Sequence, residues 1–150
     1  MKYLRLLTSA VALSAALASN AAHALDFKSV GAAPAILYDA PSEKGRRVFV
    51  APRGMPVEVV LTYSDWSKVR DAAGTLSWVQ SKALVAKRTV VVSVANAKIH
   101  ASADEASPTV FSADKNVLLD MAEPATSGWV KVRHRDGQSG FVKASEVWGD

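Results

Sequence analysis

His100 and His134 are the only imidazoles in the body of the chain once His23, close to the N-terminus, is set aside. Neither lies in a metal-ligand spacing with a second imidazole. Both are read as core or barrel-end histidines rather than ligands. Cysteine is absent, which removes thiolate nucleophiles, thiolate metal ligands and disulfides. The adjacent carboxylates Asp104 and Glu105 diverge on an extended chain, so they do not form an acid–base pair. There is no glycine-framed serine elbow and no phosphate-cradling glycine loop. The sequence therefore points to a non-catalytic protein, with no metal site and no cofactor.

Binding chemistry is better represented. Trp66, Lys68 and Arg70 alternate along one segment, and Trp129, Lys131 and Arg133, with Arg135 beyond them, along another. A tryptophan flanked by cations can hold an anionic or sugar-containing polymer by stacking and charge pairing. The same pattern also fits a sheet face whose charges give solubility and protect an edge. Tyr38 opens a long polar loop and joins the candidates, because loops on rigid barrels often carry recognition. The candidate ligand-binding set is thus Tyr38, Trp66, Lys68, Arg70, Trp129, Lys131 and Arg133. Trp78 and Phe141 are expected in the core, and Trp148 under the last strand.

These residues must be positioned by strands. In Trp129 to His134 the apolar period is two, with Val130 and Val132 on one face and Lys131 and Arg133 on the other. Strands are expected at 35–38, 57–62, 75–80, 97–100, 117–121 and 138–142. Asp71 to Gly74 and Arg135 to Gly137 are hairpin turns, the second with the favoured Asp-Gly pair. Long polar connections follow the opening strands, at 39–47 and 102–108. One helical turn is expected at 81–84 and another at 144–147.

The halves repeat. Trp66 and Trp129, Gly74 and Gly137, Val79 and Val142, and Leu84 and Val147 share an offset of 63 residues. Tyr38 and His100, and Val48 and Val110, share an offset of 62. The slip of one residue is what a loop indel produces. Residues 87–94 occupy the place of a linker yet read as a buried strand, without a Gly/Ser tether. Modules of about 60 residues have marginal cores, so the two are expected to pack together.

The N-terminus has the three parts of a secretory signal: Lys2 and Arg5, an apolar stretch from Leu6 to Ala18, and the small residues of Ala22-His23-Ala24. Cleavage is expected after Ala24. The apolar stretch is short for a span, which takes about 20 residues, so no membrane insertion is expected after cleavage. Segments 1–24, 25–86 and 87–150 are expected as signal peptide, first module and second module. Cleavage takes Lys2 and Arg5 from the 18 Lys and Arg and leaves the 14 Asp and Glu untouched, so the net charge falls from +4 to 16 − 14 = +2. So small a balance does not suggest a nucleic-acid partner.

Residues 36–42, 66–84 and 129–141 resemble bacterial SH3 domains. The pattern is Trp-x-x-Val-Arg, then Asp-x-x-Gly, then an aromatic followed by Val, and its duplication resembles exported two-domain proteobacterial proteins. The resemblance implies an all-β chain: two tandem SH3-like small β-barrels packed together, each of five or six strands. It also implies a periplasmic or secreted location and a binding role in the cell envelope. The implied partner is peptidoglycan or a cell-wall peptide; the alternative is a scaffold protein that binds another envelope protein. Tyr38 resembles the tyrosine that lines the SH3 groove. Where eukaryotic SH3 domains place an exposed tryptophan for proline-rich ligands, this chain has Asp65 and Gly128, which argues against such ligands.

Overall fold

The computed structural model describes residues 25–150, so the expected signal segment lies outside the described residues. The first module contains β1 (Phe27–Val30), β2 (Ala35–Tyr38), β3 (Arg47–Ala51), β4 (Pro56–Tyr63), β5 (Trp66–Arg70), β6 (Leu76–Gln80) and β7 (Leu84–Val85). The second contains β8 (Thr89–Val92), β9 (Ala97–His100), β10 (Thr109–Ala113), β11 (Leu118–Met121), β12 (Trp129–Arg133), β13 (Ser139–Lys143) and β14 (Val147–Trp148). A single 3-10 turn precedes the last strand of each module, at Ser81–Ala83 and Ala144–Glu146. The strands form two seven-stranded antiparallel sheets, ordered β3-β2-β6-β5-β4-β1-β7 and β10-β9-β13-β12-β11-β8-β14. These are the same permutation, so the chain is all-β and its halves are two SH3-like barrels. Seven strands stand where five or six were expected, because β1 and β8 open the modules and the 3-10 turns each lead into a two-residue strand.

Alternation sets the cores. Val30, Ala35, Leu37, Ala51, Val57, Val69 and Val79 form the first. Val92, Ala97, Ile99, Ala113, Leu119, Val132 and Val142 take the same positions in the second, where Val90, Val130 and Val147 add to it. Val130 corresponds to Ser67, which is buried and satisfied by Ser81 Oγ at 2.7 Å. The offset changes from 62 to 63 between β4/β11 and β5/β12. In the first module β4 runs to Tyr63 before turning into β5. In the second, β11 stops at Met121, and the longer segment to Trp129 contains Pro124, which lacks the N–H a ladder needs.

Residues 87–94 contain the buried strand read there: β8 is the first strand of the second barrel, and Val90 and Val92 fill that barrel's core. Two expectations are corrected. Trp148 does not simply lie under its own strand; its ring meets Phe27 of the first module edge-on, with centroids 5.1 Å apart. Trp78 and Phe141 are not core residues. The inward positions of β6 are Ser77 and Val79, and those of β13 are Gly140 and Val142, so the pleat turns both rings outward, where they are half-buried.

The modules pack together through specific contacts. The Arg88 guanidinium lies 5.3 Å from the Phe27 ring centroid, and within its own module Arg88 Nη2 is anchored by donating to the Gly149 carbonyl at 2.7 Å. Thr89 Oγ1 donates to the Gly54 carbonyl at 2.6 Å, and Ser29 Oγ to the Lys87 carbonyl at 2.6 Å. Gly149 has φ +116, and a Cβ there would lie 2.7 Å from the Thr89 carbonyl oxygen, so only glycine fits this closure.

Candidate functional site: two equivalent aromatic patches

Each module presents one outward patch built on three adjacent strands. In the first, Trp66 and Lys68 come from β5, Trp78 from β6 and Tyr38 from β2. Lys68 lies opposite Trp78 in the ladder, and Tyr38 opposite Trp78 on its other side. The Tyr38 ring stands edge-on to Trp66, with centroids 5.4 Å apart and planes at 85°. Lys68 Nζ lies 5.9 Å from the centre of the Trp78 ring. Edge-to-face pairs contribute roughly 0.5–1.5 kcal/mol beyond area burial, which fixes the rings in place.

The second module rebuilds this with different side chains. His100 stands edge-on to Trp129, with centroids 5.6 Å apart and planes at 88°. Phe141 lies opposite both His100 and Lys131, and Lys131 Nζ is 5.9 Å from its ring centre. His100 is therefore a half-buried member of the outer patch and not a core histidine. Its Nδ1 lies 3.1 Å from the Ser107 carbonyl oxygen. Lys131 Nζ also pairs with Glu123 at 3.1 Å.

A loop is tied beside each patch. Arg46 N donates to Asp39 Oδ1 at 2.8 Å, and the two side chains pair at 3.5 Å. Glu43 of that loop accepts from Gln80 Nε2 at 2.5 Å, and Gln80 is the ladder partner of Trp66. In the second module the corresponding acid, Glu105, pairs with Lys143, the ladder partner of Trp129. The hydrogen bond to Glu105 raises the Lys143 pKa above the ordinary lysine value.

The candidate residues divide into two groups. Tyr38, Trp66 and Lys68 come together, as do Trp129 and Lys131. Tyr38 is buried, so it supports Trp66 rather than lining an open groove. Arg70 lies at the far end of β5, where its Nη1 pairs with Glu58 Oε2 at 2.7 Å. Arg133, at the far end of β12, lines the cleft between the modules and is separate from the Trp129 patch. His134 lies just past β12, in the hairpin turn, with Nδ1 3.1 Å from Asp136 Oδ1. Sequence reasoning missed Trp78, Phe141 and His100 as patch members. The signal was present: each lies one residue from a core aliphatic (Val79, Val142 and Ile99), and alternation therefore turns it outward. Among the described residues, no group of three or more His, Asp and Glu could hold a metal.

The sequence profile of the bacterial SH3 domain matches residues 31–85 and again residues 93–149. Comparison with curated proteins gave no match. Among solved structures, the chain is similar to NlpC1 from Trichomonas vaginalis, at 13% identity over 89% of this chain and 49% of that one, with a TM-score of 0.40. NlpC2 from the same organism gives 12% identity over 85% and 49%, with a TM-score of 0.39. An NlpC/P60 family protein from Bacillus cereus gives 16% over 81% and 55%, with a TM-score of 0.37. The chain thus spans about half the length of these three structures.

Proposed function

Because the chain belongs to the bacterial SH3 domain family, with two copies in tandem, we propose that it is a non-catalytic, cell-wall-associated binding protein. Each module engages peptidoglycan or a wall peptide through its tryptophan-centred patch. The observation that carries this reading is the shared geometry. Tyr38–Trp66 and His100–Trp129 keep the same edge-on packing, and Lys68–Trp78 and Lys131–Phe141 the same separation, although two of the four patch positions differ, Tyr38 against His100 and Trp78 against Phe141. Neither pair of tryptophan faces is needed for its barrel's core, which closes on aliphatic side chains. Half-buried rings and ammonium groups turned outward on rigid strands suit a ligand that combines sugar or peptide faces with carboxylates. The reading places the protein in the periplasm or outside the cell after signal cleavage. Among the described residues no helix is long and apolar enough to cross a membrane.

Co-sedimentation with purified sacculi tests the proposal. The full chain is expected to pellet with the wall, and the W66A/W129A double variant to lose at least tenfold in retention. Lys68→Gln with Lys131→Gln is expected to weaken it by a smaller factor without changing the fold. An intact protein left wholly in the supernatant would overturn the reading. It would favour a scaffold role on another envelope protein, for which strand β3 is the relevant observation. This edge strand exposes Val48, Phe49 and Val50 in succession, at 43%, 51% and 62%, a row that another protein's strand could cover.

A further inference from the structure

A cleft of about 750 Å³ runs between the two modules. Arg53 enters it from the turn between β3 and β4, Lys87 from the connection into β8, and Arg133 and Arg135 from the β12–β13 hairpin; Asp120 of β11 is the one carboxylate in its lining. Four cations thus face one anion, an excess of three charges. The chain from residue 25 onward carries only +2 overall, so this cleft holds more than the whole net charge and the remaining surface is slightly acidic.

The repeat shows how the second module released its arginine. In the first, Arg70 lies opposite Glu58 in the β4–β5 ladder and pairs with it at 2.7 Å. In the second, Arg133 lies opposite Asp120 in the equivalent β11–β12 ladder. Asp120 instead pairs with Lys87 at 3.0 Å. The first module has Leu25 at the position equivalent to Lys87. The added lysine, together with an acid one methylene shorter than Glu58, withdraws the partner that Arg70 keeps. Among the described residues, no carboxylate lies within ion-pair distance of Arg53, Arg133 or Arg135.

We propose that this inter-module cleft is a second binding site, for a multiply charged oxyanion held by Arg53, Arg133 and Arg135. Guanidinium forks match the two oxygens of a phosphate or carboxylate, and a cleft between low-dielectric walls concentrates their field. Each module supplies part of the site, so it exists only because the two barrels pack together. The inference stands apart from the tryptophan patches, which do not line the cleft.

Isothermal titration of the full chain with tripolyphosphate and, separately, with tri-glutamate tests it, alongside amide NMR shifts. Binding of either probe is expected, with shifts centred on Gly54, Thr89 and Leu118. Tripolyphosphate alone would mark the ligand as phosphate-bearing, and tri-glutamate alone as carboxylate-bearing. R133Q/R135Q is expected to weaken binding at least tenfold, and Arg53→Gln severalfold. Lys115→Gln, the same loss of charge on an exposed loop outside the cleft, is expected to leave it within a factor of two. No binding of either probe at 0.15 M salt, or equal binding by R133Q/R135Q and the native chain, would overturn the proposal. These probes carry no sugar or aromatic-binding face, so a failed wall-binding assay leaves this result unaffected.

Discussion

At the scale of residues, each patch depends on a ring that props up a tryptophan. Tyr38 and His100 differ in chemistry but fill the same place beside Trp66 and Trp129. Replacing Tyr38 by Leu keeps the apolar contact and removes the edge-on ring. It should cost about 0.5–1.5 kcal/mol in a denaturant titration and weaken wall retention through a less ordered Trp66. The hairpin turns show a parallel substitution. In the first, Asp71 Oδ1 accepts from Ala73 N and Thr75 N; in the second, Asp136 Oδ1 accepts from Gln138 N. That backbone hydrogen bond comes first, followed by the Gln138 side chain, in holding the Asp136 pKa below the ordinary value of 3.8, with His134 adding to the effect. A carboxyl whose pKa is lowered by folding stabilises the fold above its unfolded value, and this contribution is lost as the pH falls through the folded value. Unfolding followed between pH 5 and pH 2 should therefore show a component of acid sensitivity that Asp136→Asn removes.

At the scale of elements, the turns and alternation were largely legible in the sequence. The strands at 35–38, 97–100 and those flanking both hairpins, and both helical turns, were found because apolar residues alternate and Gly74 and Gly137 punctuate them. Gly137 has φ +94, so Gly137→Ala should destabilise the second barrel by roughly 1–2 kcal/mol, read as a lower urea midpoint. The edge strands β3 and β10 were not legible. Arg47 to Val50 are all exposed, so Val48, Phe49 and Val50 follow no inward–outward pattern, and β10 buries fully only Ala113. The patch was half legible: Trp66, Lys68, Trp129 and Lys131 share a strand face that spacing reveals. Trp78 and Phe141 join through cross-strand register, and ring size suggested a core position that alternation rules out. The fates of Arg70 and Arg133 were not legible, because they depend on whether Glu58 or Asp120 turns toward them.

At the scale of the whole molecule, duplication gives two copies of one barrel, and the contacts that join them lie at their junction. Phe27 meets Arg88 and Trp148 across the junction, and β8 belongs wholly to the second core. Proteolytic cutting at 87–93 should accordingly be slow, and Trp148→Ala should split one thermal transition into two or speed that cutting severalfold. The most direct measurement of the central claim is an amide and indole NMR titration of the full chain with soluble muropeptides. Saturable shifts should gather on the indole signals of Trp66 and Trp129 and on the backbone of Lys68, Trp78, Lys131 and Phe141, in both modules. Unshifted indole signals at saturating muropeptide, or shifts gathered on strands away from both patches, would contradict it.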